Sequence, residues 1–211
     1  MKKHWLYATA AAVAAVTASP SFAATFSIDF EKNWDYVNGD INNYYNGGTA
    51  ADGSSGGPNL GVSFTNVSGL SNDSNFTYYT NAPSPLGVAY AHDTAYMNVA
   101  AGVDGASSQL QFYYSSTANV AGAIKAYSGA NGTGTLLGAV DIFLNTAGGP
   151  FDTWTLATLS FNGVAQSFDL SGLANVAGID NVSVAPVPLP AGILLFGSGL
   201  LALAGFRRKA A

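Results

Sequence analysis

The chain has 211 residues, 48% of them hydrophobic and only 9% charged, with a formal net charge of −5 and no cysteine. The missing thiols exclude thiolate zinc sites, disulfide frameworks and cysteine nucleophiles. Five of the seven Lys and Arg residues sit in the two terminal segments, so residues 24–186 hold Lys32 and Lys125 against twelve acidic residues, a local charge of −10. That balance excludes a nucleic-acid partner held by a basic patch and favours cations.

The N-terminus reads Met1-Lys2-Lys3-His4, followed by an apolar run from Trp5 to Ala18. It closes on Ser19-Pro20-Ser21-Phe22-Ala23, with small residues at Ser21 and Ala23 where a signal peptidase admits only small side chains. Residues 1–23 are expected to be a cleaved secretory signal, with signal peptidase as a partner during export.

The mature span, residues 24–185, is rich in Gly, Asn, Ser and Thr, which disfavours helices and suits strands joined by turns. Alternating runs predict strands over 24–30, 60–66, 96–100, 108–115, 122–127, 136–144, 154–161, 166–170 and 179–184. In the run 108–115, Leu110, Phe112 and Tyr114 fall on one face and Gln109, Gln111 and Tyr113 on the other. Ser128–Gly134 and Asn162-Gly163 are expected to be hairpin turns, because Asn and Gly accept positive φ. Many short strands at this spacing predict an all-β sandwich with no helix of useful length.

The segment 38–59 breaks the rhythm, with six Gly, five Asn and the pair Tyr44-Tyr45. Uninterrupted irregular segments of this length are either surface loops without fixed structure or ligand-contacting loops, and both readings stand.

Catalytic signals are sparse. His92 is the one histidine after residue 23 and Glu31 the one glutamate, so neither a histidine metal cluster nor a distinct carboxylate pair stands out. The domain is expected to be non-catalytic, with a glycoside hydrolase as a distant alternative. Sugar binding would use flat aromatic rings beside Asn, Asp or Gln. Trp34, Tyr44, Tyr45, Tyr79 and Tyr113 are the leading candidates, and Tyr78, Tyr90 and Trp154 also qualify. Tyr78-Tyr79 and Tyr113-Tyr114 each place one ring on each face of a strand, so one ring of each pair can stand at the surface.

Val184–Pro190 is a stiff proline-rich linker. Residues 191–206 form an uncharged apolar segment spanning about 24 Å as a helix, short of the ~30 Å hydrocarbon core, and Arg207-Arg208-Lys209 comes directly after it. Such a basic cluster stays on the cytoplasmic side, which leaves the domain outside. Val187-Pro188-Leu189-Pro190-Ala191, the hydrophobic segment and the basic tail together resemble the PEP-CTERM family of sorting signals in its VPLPA form, over residues 186–209 of a C-terminal signal segment taken as 186–211. The resemblance implies an exosortase-type transpeptidase as partner. It also implies transient residence in the inner membrane, then the cell envelope, surface or extracellular matrix, and association with exopolysaccharide.

Ile28-Asp29-Phe30-Glu31 and Gly178-Ile179-Asp180-Asn181-Val182 are similar to the first and last strands of jelly-roll carbohydrate-binding modules. That resemblance implies a jelly-roll-like sandwich with a structural calcium held by Glu31 and Asp180, and by Asp29 as a third ligand. Acids that limit strand pairing at a sheet edge are the competing reading. The expected function is an exported, non-catalytic sandwich associating with exopolysaccharide. The alternative is a surface protein that is purely structural.

Overall fold

A computed structural model describes residues 25–74, 76–146 and 151–186. The expected signal segment, the apolar segment 191–206 and the sorting residues Val187 to Ala191 and Arg207 to Lys209 lie outside them. Among the described residues no helix is long and apolar enough to cross a membrane.

The architecture is all-β: β1 (Ser27–Ile28), β2 (Val62–Leu70), β3 (Val88–Asp104), β4 (Ser108–Ser116), β5 (Val120–Tyr127), β6 (Leu136–Ile142), β7 (Thr155–Leu159), β8 (Val164–Asp169) and β9 (Ala177–Pro186). Two 3-10 turns, Tyr44–Asn46 and Ser171–Leu173, are the helical elements among the described residues. The ladder runs β6-β5-β8-β3-β9-β4-β7, with β1 on β9 and β2 on β3, all antiparallel. It folds over on itself as a jelly-roll-like β-sandwich.

The fold-over occurs in β3. Its first part pairs with β9 through Ala89 and Tyr90, and its second part pairs with β8 from Tyr96 onward. Between them Asp93 takes φ 59, and the facing strand β2 bulges at Asn66, φ 53. The Asn66 side-chain amide donates to the Thr94 carbonyl at 2.7 Å, which holds bulge and bend together. A bulge adds a residue to one strand and bends the pair, and here it carries one strand from one layer to the other.

Leu110, Phe112 and Tyr114 of β4 face inward as the alternation predicts, meeting Ile124, Met97, Ile142 and Phe168 in the main core. The first strand is shorter than expected. Phe26, Ile28 and Phe30 are all buried, but Phe30 at φ 56 ends the pairing. The Ser128–Gly134 turn closes the β5–β6 hairpin, with Asn131 and Gly132 at positive φ. Asn162-Gly163 is a turn but not a hairpin. It leads from β7, which pairs with β4, to β8, which pairs with β3 and β5.

The segment 38–59 is not an unstructured surface loop. Ile41, Tyr45 and Ala50 are buried, and its backbone is tied to β2 by Ile41 N to Val67 O at 2.9 Å and Phe64 N to Asn42 O at 2.8 Å.

A second, smaller cluster of Leu70, Tyr79 and Val88 lies against Tyr78, Tyr90, Phe151 and Trp154. Val88 and Tyr90 alternate with Ala89 and Ala91 of the main core, so this cluster covers the opposite face of β3. The chain between β2 and β3 forms its lid and is joined to the segment before β7. Thr80 N donates to Phe151 O at 2.7 Å, and Phe151 N to Tyr78 O at 3.0 Å.

Candidate functional site

The lid displays aromatic rings because Asn72 holds its backbone. The Asn72 Oδ1 accepts from Tyr78 N at 2.8 Å and Tyr79 N at 3.2 Å, while its Nδ2 donates to Tyr79 O at 2.9 Å. Successive residues of this extended stretch point to opposite sides. Tyr79 is driven into the smaller cluster and Tyr78 is left at the surface.

On that surface Tyr36 stacks on Tyr78 with ring centroids 5.2 Å apart and planes 17° apart, and Phe76 packs on Tyr78 at a tilt of 53° with centroids 4.5 Å apart. Tyr36 is 62% exposed and Phe76 59%. The Asp35 carboxylate holds the turn that presents Tyr36 by accepting from Val37 N at 2.8 Å. Desolvation, then the proximity and hydroxyl of Tyr36, raise the Tyr78 hydroxyl above the usual phenol value.

Tyr36 and Tyr78, but not Phe76, line a cleft of about 220 Å³ together with Leu70, Tyr90, Phe151, Asn175, Val176 and Ala177. The result is a concave apolar surface carrying phenol hydroxyls and one carboxamide. Such a surface suits a ligand with both an apolar face and hydroxyl groups.

Beside Tyr90, on the same face of β3, His92 Nε2 lies 2.9 Å from Asp40 Oδ1. Ser68 donates its hydroxyl to that same oxygen. The carboxylate stands between hydroxyl and imidazole, the reverse of the order that activates a serine.

The predicted aromatic residues divide. Tyr79 is buried, and its hydroxyl is pushed up to about 12 by burial and by the Glu31 and Asp180 carboxylates. Tyr45 is buried with its edge against Phe30 and Phe64, and burial raises its pKa also. Trp34 is buried, with its indole N–H donating to Phe30 O at 2.8 Å. These three rings are core residues and offer no face to a ligand, which corrects the expectation for each. Tyr44 is half-buried with its ring edge-on to Trp34, and the Lys32 ammonium lies 4.3 Å from the Trp34 ring while bonded to Asp52 at 2.5 Å. Tyr113 is half-buried on β4, opposite Leu156 and Asp180 and away from the cleft residues.

Tyr78 and Tyr90 do line the cleft. Tyr36, Phe151 and Asn175 line it too, though no motif or alternation singles them out. The one local signal for Tyr36 is its place just after a turn-forming Asp, outside any alternating run.

Of the predicted metal ligands, Glu31 lies close enough to Asp180 to act on it electrostatically, at a place away from the cleft. Asp180 lies at a bulge of β9, where Asn181 has φ 48 and the register against β4 shifts. It is fully buried and accepts from Ser84 N at 2.8 Å, Ser84 Oγ at 2.7 Å and Asn181 N at 2.7 Å. Desolvation outweighs those hydrogen bonds, and with a further push from Glu31 it raises the carboxyl to about 6. Glu31 Oε1 accepts from Leu86 N at 2.8 Å and Gly87 N at 3.2 Å. The Asp29 side chain is exposed, and it is the Asp29 carbonyl that accepts from Ser84 Oγ at 2.8 Å. Among the described residues no group of three or more His, Cys, Asp or Glu side chains forms a metal-binding cluster. The donors present are all oxygens, of the hard type calcium takes, with Asp29 offering its carbonyl.

No family model matches the chain, and no curated protein does. Solved structures similar to it include a glycoside hydrolase family 43 arabinoxylan arabinofuranohydrolase from Bacillus subtilis in complex with cellotetraose. That match has 17% identity and a TM-score of 0.36, over 51% of this chain and 23% of that one. A cleaved adhesin domain of Lys-gingipain from Porphyromonas gingivalis is 13% identical with a TM-score of 0.38, over 78% of this chain and 99% of that one. The CBM22-1-GH10 modules of a Clostridium thermocellum endo-1,4-beta-D-xylanase complexed with xylohexaose are 9% identical with a TM-score of 0.32, over 61% and 26%. The chain thus spans about a quarter of the length of the two hydrolase structures. These likenesses are too loose to transfer a residue or a ligand.

Proposed function

We propose that this protein is an exported, non-catalytic β-sandwich that binds extracellular polysaccharide in the cleft beside Tyr36 and Tyr78. The observation that carries the reading is the cleft itself. Aromatic rings normally bury their apolar faces in a core, yet here Tyr36 and Tyr78 line an open cleft, presented by turns that Asp35 and Asn72 hold. A pyranose ring presents C–H groups to such rings and hydroxyls to Tyr90 and Asn175.

Delivery outside the cell rests on the two ends of the sequence, with signal peptidase acting at the first and an exosortase-type enzyme at the second. Calcium belongs to the same reading. The Asp180 carboxylate and Asp29 carbonyl, which share the Ser84 hydroxyl, would hold it with Glu31 nearby. It would neutralise a carboxylate that is otherwise buried without a cation.

The test is retention of the purified mature chain on a panel of immobilised neutral polysaccharides, compared with Tyr78→Ala. Retention lost in the variant supports the cleft. No retention on any glycan sinks the reading and leaves a purely structural surface protein.

A further inference from the structure

Among the described residues that line the cleft, none carries a positive charge. Its lining is Tyr36, Leu70, Tyr78, Tyr90, Phe151 and Asn175, with Val176 and Ala177. The described residues include two lysines and no arginine. Lys32 is committed to Asp52 beneath the Trp34 and Tyr44 rings. Lys125 stands on β5, in register with Asp169 of β8, in the other layer of the sandwich. His92, next to Tyr90 on the same strand face, is bonded to Asp40.

The charges around the cleft are negative. Asp73 acts electrostatically on the Tyr78 hydroxyl while accepting from Phe76 N at 2.7 Å, and Asp35 stands beside Tyr36. Asp40 is engaged by His92, whose ring packs by Tyr90, and the whole span 24–186 carries −10. A carboxylated or sulfated sugar entering here would lose hydration and gain no counter-charge, in a field that already repels it. An uncharged sugar loses nothing of the kind. Like-charge juxtaposition is the device by which binding sites reject near-identical ligands.

We infer that the cleft selects glycan chains free of acidic groups and rejects their carboxylated or sulfated counterparts. This rests on the glycan-binding reading above and adds the class of chain that the site accepts.

The test uses matched pairs on a glycan array, each backbone in neutral form and in carboxymethylated or sulfated form. It is probed with the mature protein in EDTA, so that no bound cation supplies a bridge. The neutral member of a pair is expected to be retained about tenfold or more strongly. Both signals should fall in Tyr78→Ala. Asp73→Asn keeps an oxygen to accept from Phe76 N but removes one charge, and it should narrow the gap by raising the acidic signal alone. Equal or stronger retention of the acidic members, lost in Tyr78→Ala, overturns this inference while leaving glycan binding in the cleft intact. Retention of no glycan, or retention that Tyr78→Ala leaves untouched, overturns both.

Discussion

Asp180 and Ser84, 96 residues apart in the chain, are joined by two hydrogen bonds: the Ser84 amide donates to one carboxylate oxygen at 2.8 Å and its hydroxyl to the other at 2.7 Å. This contact ties the last strand to the chain that precedes β3, in a place from which water is excluded. A carboxylate held there is stabilised by donors but starved of hydration, and the balance between the two sets how the fold responds to protons and to cations.

The first consequence of Asp180 is a pH dependence of stability. Its pKa in the fold, about 6, lies above the ordinary 3.8. The folded state therefore binds the extra proton between those values, and stability falls as pH rises through that window. In metal-free protein this contribution is full below about pH 4 and gone above about pH 6.5, a loss on the order of 3 kcal/mol. Urea unfolding between pH 4 and 7 in EDTA measures it. Asp180→Asn should flatten the profile, at a cost of about 1–3 kcal/mol because its amide would face the Ser84 N–H. A wild-type profile rising through this window would refute the assignment.

Calcium should reverse that loss. A ligand bound only by the folded state raises stability in proportion to ln(1 + [L]/Kd), about 2.7 kcal/mol at a hundredfold excess over Kd. Thermal melts at pH 7 with calcium and with chelator are expected to differ in midpoint. The difference should vanish in Asp180→Asn and shrink in Glu31→Gln. Identical midpoints for the wild-type protein would count against a calcium site.

Tyr78 and Tyr79 should behave as opposites. Tyr79→Ala removes a ring 2% exposed and is expected to cost about 3–5 kcal/mol in stability. Tyr78→Ala removes a partly exposed ring, so stability should change by less than about 1 kcal/mol while glycan retention drops about tenfold or more. Chemical denaturation and glycan affinity, measured on both variants, separate the roles. If Tyr79→Ala is the harmless one, the lid is oriented the other way.

Gly69 lies under the Trp34 indole. A Cβ placed there would be 2.1 Å from the ring, against rigid atoms on a buried side chain. Gly69→Ala should destabilise by roughly 1–3 kcal/mol or more, through displacement of Trp34 and the Lys32–Asp52 pair packed on it. A neutral effect on the urea midpoint would show that the indole has room to move.

Much of the architecture is legible in the residues. Alternation in Leu110, Phe112 and Tyr114 identifies a strand and its inward face, because a half-buried strand must repeat every two residues. The Asn and Gly of 128–134 mark a hairpin, because few other residues accept positive φ. The first part of β3 carries no such mark. Val88 and Ala89 are buried on opposite faces there, so the period-two signal disappears, and the bend at Asp93 breaks the alternation before Tyr96.

The site is less legible for a related reason. Periodicity shows that Tyr78 and Tyr79 point to opposite sides, but not which side is covered. That choice is made by Asn72, which holds the lid's backbone, and by Phe151, which ties it to the segment before β7. Likewise no local pattern distinguishes Trp34 and Tyr45, which fill the core, from Tyr36, which stands in solvent. By itself the sequence determined an acidic, cysteine-free, all-β chain, since composition and period are local quantities. Only tertiary structure decided which rings meet. Tyr36 meets Tyr78, and Asp180 meets Ser84 where β9 pairs with the start of β3, through contacts between distant parts of the chain, and burial is a property of what packs above a residue.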